Sequence, residues 1–404
     1  MQNAITSLLS LPDQEKKIRG IVHTPHEIYQ QPETWTATAK NLSSNRAAIL
    51  RFLETVGITA SDAKDRPSVI LAGAGTSDYI GQAVSRVLRR EWSCEVATVP
   101  STELLTNMTD FILPGRKYLM ISFSRSGESS EGVATLEQVV ERYPKQVSNL
   151  LITCNASGSM AKFPGVFSVV LDDQVNDRGL AMTSSFTNMV IAGQYLAHAP
   201  NPALYENLLG EMVDMGSRLI PSAADLASEL AQKRYSRMCF IGAGTLRVVA
   251  EESSLKVLEL NSGKIATIAQ SPLGLRHGPL SFVNEETLLV AYLSSDEQRI
   301  SYELDLLEEI VHKKLAADMV LLTPRMTKRV ASITRNVLSL DMSATVPPSI
   351  PDAYRAPVDI ILGQMLGLFT SLANNMLPDS PSSGAIGRVV SHVKIYPALA
   401  KQGA

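Results

Sequence analysis

The chain has 404 residues, 45% hydrophobic and 19% charged, enough for two or three packed domains of ordinary globular composition. A net charge of -3, with no basic cluster interleaved with aromatics, argues against nucleic-acid binding. Cys94, Cys154 and Cys239 are scattered and form no CxxC pair, which argues against a disulfide framework or structural zinc and fits a reducing cytoplasm. The N-terminus has no positive charge ahead of its short apolar stretch, and no run of about eighteen apolar residues occurs, so neither secretion nor a membrane span is expected.

Residues 1–45 carry no strand signal, and Thr34 to Leu53 has a helical pattern. This N-terminal helical segment is expected to pack across the domains or across a partner subunit. Five short apolar runs then alternate with amphipathic stretches: SVILAGAG (68–75), CEVATVP (94–100), YLMISFS (118–124), SNLLITCN (148–155) and VFSVVLDD (166–173). Continuous Val/Ile/Leu runs bounded by Gly, Pro, Asn or Ser read as parallel strands buried on both faces.

The same order returns as MCFIGAG (238–244), KIATIAQ (264–270), TLLVAYLS (287–294), ADMVLLTP (317–324) and NVLSLD (336–341). Gly242 follows Gly73 by 169 residues, Ala266 follows Ala97 by 169, Ser294 follows Ser124 by 170, Thr323 follows Thr153 by 170 and Asp341 follows Asp172 by 169. A constant offset through five elements predicts two copies of one doubly wound α/β unit, each a five-stranded parallel sheet with helices on both faces. The expected domains are 46–205 and 206–404, with the junction near HAPNPALYEN, where two prolines and two asparagines interrupt a helical pattern.

In open parallel sheets ligands bind beyond the carboxyl ends of the strands. The third run of the first copy leads into SFSRSGES (122–129), which places Ser122, Ser124, Ser126 and Ser129 around Gly127, with a helix expected to follow. Hydroxyls and free N–H groups at a helix N-terminus, with a glycine permitting close approach, suit a phosphate dianion. Helix capping alone is the alternative, but a cap explains one serine and not the cluster. Thr76 and Ser77, after the GAG turn at 73–75, would add donors to the same ligand. In the second copy Leu246 replaces that serine and Asp296 and Glu297 replace the glycine-serine spacing, so phosphate is expected only in the first copy. No GxGxxG and no P-loop is completed.

The second copy offers acid and base instead. AEESSLKVLELNSGK (250–264) reads as a helix on which Lys256 and Glu259 share a face, and His277 follows in a proline-bounded loop. A solvated helix glutamate and a satisfied loop histidine are the plain alternatives, and spacing alone does not decide. Arg178, Thr183 and Ser184 lie in the loop after the fifth strand, within reach of a sugar hydroxyl, with a surface arginine and a helix cap as alternatives. Arg276, beside His277, is either a partner for an anion or a solvated arginine.

Taken together, GTS (75–77), SRSGES (124–129), TCN (153–155), LKVLEL (255–260) and HGPL (277–280) resemble the SIS (sugar isomerase) superfamily, whose flavodoxin-like domains bind phosphosugars. They match the isomerase half of glucosamine-fructose-6-phosphate aminotransferase. Within the superfamily, EIYQQPETW (27–35), NDRGLAMTSS (176–185), ESSLKVLELNSGK (252–264), SPLGLRHGP (271–279), YELDLL (302–307) and the tail PDSPSSGAIGRVVSHVKIYP (378–397) are similar to the galactosamine-6-phosphate deaminase/isomerase family, formerly described as tagatose-6-phosphate ketose/aldose isomerases.

The resemblance implies that Thr76, Ser77, Ser124, Ser126 and Ser129 hold the sugar phosphate. Glu259 would move a proton between C1 and C2, and His277 would assist ring opening. The aminotransferase takes the matching histidine from a neighbouring subunit, which implies a homodimer or larger homo-oligomer. It also has a functional lysine near its C-terminus where this chain has Ser391 and then His392, a departure that bears on any lysine-dependent ring opening. The reaction expected is conversion of galactosamine 6-phosphate to tagatose 6-phosphate and ammonia, with no metal or redox cofactor. The alternatives are a glucosamine-6-phosphate deaminase, a ketose/aldose isomerase that releases no ammonia, and a non-catalytic phosphosugar sensor. The full aminotransferase is not expected, because 404 residues leave no room for a glutaminase domain and Met1-Gln2 offers no cysteine nucleophile.

Overall fold

A computed structural model describes residues 2–341, 350–390 and 393–396. All ten apolar runs form strands: β1 (Ser68–Gly73), β2 (Val96–Pro100), β3 (Tyr118–Ser124), β4 (Val147–Thr153) and β5 (Val166–Val170), then β6 (Arg237–Gly242), β7 (Ala266–Gln270), β8 (Thr287–Tyr292), β9 (Asp318–Thr323) and β10 (Val337–Ser339). The helices are α1 (Ala4–Leu9), α2 (Asp13–Arg19), α3 (Thr24–Tyr29), α4 (Gln31–Ser44), α5 (Arg46–Thr55), α6 (Thr76–Trp92), α7 (Ser101–Phe111), α8 (Ser130–Arg142), α9 (Ser184–His198), α10 (Ala203–Ala231), α11 (Thr245–Leu260), α12 (Pro272–Leu275), α13 (Glu297–His312), α14 (Lys328–Ile333) and α15 (Ala356–Ala373). The stretch that reads as helical from Thr34 is two helices, α4 and α5, which meet at Asn45.

The strands form two parallel five-stranded sheets, ordered β2-β1-β3-β4-β5 and β10-β9-β8-β6-β7. Read from β7, the second order repeats the first, the flavodoxin-like arrangement whose direction of winding reverses between its first and third strands. The register is continuous, with Val69 opposite Leu119 and Ile121 opposite Leu150 in one sheet, and Cys239 opposite Leu289 in the other.

The chain divides into two compact units. One holds the first sheet with Thr38–Asn176, Ala192–Asn201 and the described residues from Gly387 onward. The other holds the second sheet with the described residues up to Ala37, Asp177–Ile191 and Pro202–Ile386.

Alternation along each strand explains why both sheet faces are covered. In the first sheet, Ile70, Ala72, Met120 and Leu151 pack with Leu104 and Met108 of α7 and Leu136 and Val139 of α8. Leu71 points the other way, where Gly81 of α6 comes so close that a Cβ there would lie 3.1 Å from Leu71 Cβ. In the second sheet, Cys239, Ile241, Leu289 and Leu321 pack with Leu304, Leu307 and Ile310 of α13. On the opposite face, Tyr292 shares a 2.6 Å hydroxyl contact with Ser253 of α11.

α15 is long and apolar enough to cross a membrane by length and composition alone, but 89% of it is buried inside the protein. It is a core helix. Gly363 and Gly367 let it lie directly on α11, since a Cβ at these positions would meet Ser253 Oγ at 2.1 Å and the Lys256 carbonyl at 3.1 Å.

Candidate active site

The serine loop lies between β3 and α8, beside the turn between β1 and α6, so both flank the point where the first sheet reverses its winding. Gly127 has φ +63°, which a side-chain-bearing residue adopts only with strain. Its N–H donates to Ser124 Oγ at 3.1 Å, and the next N–H, of Glu128, donates to Ser126 Oγ at 3.2 Å. A hydroxyl that accepts an N–H still has its own proton to donate.

The loop's carbonyls are taken up by the end of β4. Cys154 N–H donates to the Arg125 carbonyl at 3.2 Å and Asn155 Nδ2 to the Ser126 carbonyl at 2.8 Å, which gives the TCN segment a clear task. Ser129 occupies the N-cap position of α8, yet its side chain makes no capping bond. Plain capping therefore does not account for it. Arg125, buried despite its charge, donates through Nη2 to the Arg388 carbonyl at 2.6 Å, and Ser130 N–H donates to the Val390 carbonyl at 3.1 Å. The segment around Arg388 thus lies against the serine loop of its own unit. Ser391 and His392 lie outside the described residues.

Thr76 and Ser77 begin α6 and are both buried. The turn ahead of them is tight: a Cβ on Gly73 would sit 2.4 Å from the Ser77 carbonyl, and Gly75 has φ 56° and ψ -127°. The second copy repeats this geometry at Gly242 and Gly244, the latter with φ 63° and ψ -124°.

On α11, Lys256 Nζ lies 2.5 Å from Glu259 Oε2 and 3.3 Å from Glu252 Oε1. Lys256 and Glu252 have no exposed side-chain surface, whereas the Glu259 side chain is 31% exposed. Burial opposes the lysine's charge, but the two carboxylates more than offset it, and its pKa is raised above the ordinary value. The arrangement fixes one partly accessible carboxylate at the end of a rigid, buried ion chain. Glu252 was missed in the sequence; its place one helical turn before Lys256 was the available signal.

His277 follows α12 in a turn where its N–H donates to the Gly274 carbonyl at 3.0 Å, and its side chain is exposed. Among the described residues it makes no side-chain bond to Glu259. Neighbouring Arg276 pairs with Glu309 at 3.0 Å.

Thr183 and Ser184 are fully buried. Asp177 accepts the Thr183 N–H at 2.8 Å, its hydroxyl at 3.0 Å and the Ser184 N–H at 3.0 Å, while Ser184 Oγ donates to the Glu27 carbonyl at 2.6 Å. These groups hold the start of α9. Arg178 is exposed, and its N–H donates to the Glu27 carboxylate. Among the described residues, no group of three or more His, Cys, Asp or Glu is placed to hold a metal ion.

Two parallel sheets in this order, a serine loop at the first reversal point and an ion-paired glutamate on a buried helix define a protein of the α/β SIS fold, and the SIS domain model matches residues 63–199. The chain is 34% identical over 382 residues to D-galactosamine-6-phosphate deaminase AgaS of Escherichia coli O157:H7, covering 93% of this chain and 95% of that protein. It is 29% identical to the protein of the same name from Shewanella sp. (strain ANA-3), covering 94% and 92%. The crystal structure of tagatose-6-phosphate ketose/aldose isomerase from Escherichia coli superimposes with a TM-score of 0.81 at 32% identity, covering 93% of this chain and 97% of that one. The chain belongs to the D-galactosamine-6-phosphate deaminase AgaS family.

Proposed function

We propose that the protein is a deaminating isomerase that converts galactosamine 6-phosphate and water to tagatose 6-phosphate and ammonia. Full-length similarity to relatives named for that deaminase supports the substrate class. The observation that carries the chemistry is the partly exposed Glu259 carboxylate held by buried Lys256.

Ser124, Ser126 and Ser129, with Thr76 and Ser77, hold the phosphate, and His277 assists opening of the ring. Glu259 then removes the C2 proton of the open aldose and delivers it to C1. The double bond moves, the C2 amine becomes an imine, and water hydrolyses it to the ketone with loss of ammonia. Lys256 keeps Glu259 oriented for this transfer, and the buried Glu252 keeps Lys256 in place.

We infer that the active form is a homodimer or higher homo-oligomer in a reducing cytoplasm. Light scattering on the purified chain tests the mass.

Coupling ammonia release to a reporter enzyme, with galactosamine 6-phosphate and glucosamine 6-phosphate offered in turn, tests the reaction. Ammonia from the galacto sugar is expected. Ketose without ammonia would identify a plain isomerase, preference for the gluco sugar would identify the epimeric deaminase, and binding without turnover of either would leave a sensor.

A further inference from the structure

The position in the second copy that matches the serine loop is already occupied by a carboxylate of the chain itself. Asp352 lies on the short turn ahead of α15, 58 residues beyond Ser294. Ser294 Oγ donates to its Oδ2. Ser295 donates to Oδ1 through both its N–H, at 2.9 Å, and its hydroxyl, at 2.8 Å. Arg355 Nη1 donates to Oδ1 at 3.1 Å, and Arg299 Nη1 lies 3.5 Å from Oδ2. Asp352 is 7% exposed and Arg355 fully buried. Two serine hydroxyls, a backbone N–H and two guanidinium groups converge on one carboxylate, which is the donor set of an anion site.

We infer that Asp352 is a built-in ligand: the second copy retains an anion site at its β8–α13 loop, closed by the chain's own carboxylate, and that closure sets the position of the helix bearing Glu259. Arg355 carries the connection. Besides Asp352 it donates to the Leu293 carbonyl at 3.0 Å and, from the start of α15, to Asp359 Oδ2 at 2.6 Å. α15 in turn supports α11 through the close approaches of Gly363 to Ser253 and Gly367 to Lys256. Asp352 is thus a positioning residue, acting on Glu259 through α15 and α11. The ligand class is a small monoanionic carboxylate: Glu303 accepts the Ser294 N–H at 2.8 Å and Asp359 shares Arg355, so a phosphate dianion would face two carboxylates.

The test is chemical rescue of Asp352→Gly with sodium formate, against sodium chloride at equal ionic strength. Without formate the variant melts several degrees below the parent chain, and turnover falls on the order of tenfold or more through misplacement of Glu259, with KM little changed. Formate raises both melting temperature and kcat saturably, and does neither to the parent chain. Equal responses to formate and chloride overturn the inference, and rescue by inorganic phosphate in place of formate overturns the carboxylate assignment. Should Asp352→Gly fail to fold in chloride, Asp352→Ser takes its place, and absence of a formate response there overturns the inference equally.

Discussion

The loops after β3 and β8 occupy the same position in two copies of one sheet, and they have solved the same electrostatic problem in opposite ways. Both begin at a strand end with a serine, Ser124 or Ser294, beside a GAG turn of matching backbone angles. In the first, Gly127 turns the chain into the left-handed region, and the serines accept N–H groups of their own loop. In the second, Ser294 likewise accepts an N–H of its own loop, from Asp296 at 3.0 Å. Asp296, however, stands 170 residues beyond Ser126 and caps α13 by accepting the Arg299 N–H at 2.9 Å, while the hydroxyls of Ser294 and Ser295 donate to Asp352. On the proposed reading, the first copy takes its anion from solution, whereas the second carries one covalently in Asp352. On that reading, Asp352 adds to Asp296 and Glu297 a third, more specific obstacle to phosphate in the second loop.

This contrast divides affinity from chemistry, and variants can break it. The largest effect is expected at Glu259. Glu259→Gln keeps the shape and removes the base, so turnover should fall by about 10²- to 10⁴-fold with KM little changed, as steady-state ammonia release would show. Unchanged turnover would remove Glu259 from the mechanism. Next come the paired serines. Ser124→Ala removes a hydrogen bond to a charged ligand and should raise KM on the order of tenfold, while Ser294→Ala should leave KM alone and lower stability by about 1–3 kcal/mol in urea unfolding. A rise in KM from both would mean that the two loops do not differ as described.

Much of this contrast was legible in the residues. Buried parallel strands are nearly uninterrupted apolar runs, and a constant offset is visible without coordinates, so all ten strands and their repeat could be read. The Lys256–Glu259 pair followed from helical spacing. What could not be read depends on contacts distant in sequence. Nothing local to Asp352 connects it with Ser294, and nothing local to Asp177 says that it will accept from Thr183 and from the Ser184 N–H. The grouping of the described residues from Gly387 onward with the first sheet is likewise a matter of packing, carried by Arg125 and Ser130, which no periodicity reports.

The glycines test what the copies share. A Cβ on Gly73 or Gly242 would lie 2.4 Å or 2.3 Å from a backbone carbonyl oxygen, and a backbone cannot yield as a flexible side chain does. Gly73→Ala and Gly242→Ala should each cost about 3 kcal/mol in denaturant unfolding, by similar amounts. A large cost at one and none at the other would show that the two turns are not equivalent.

The smallest expected effect concerns a carboxyl that only the second copy has. Glu303 stands 170 residues after Val133, so a half-buried apolar position packed against the core in one copy is a buried acid in the other. Burial, aided by Asp352, pushes its pKa up to about 7, against the lowering effect of the Ser294 N–H. Between its ordinary value of 4.5 and about 7, the folded chain holds a proton that the unfolded chain has released. Stability contributed by this group is therefore complete below the lower value and is lost as pH rises through the upper one, with a slope no steeper than about 1.4 kcal/mol per pH unit. Glu303→Gln keeps an acceptor for the Ser294 N–H and cannot ionise, so unfolding free energies between pH 5 and pH 7 should fall less with rising pH than in the parent chain. The corresponding change in the first copy, Val133→Gln, adds no titrating group and should leave that slope as it was. Identical slopes in the parent and Glu303→Gln chains would show that Glu303 is ionised throughout the window, and that the charge balance around Asp352 has been misjudged.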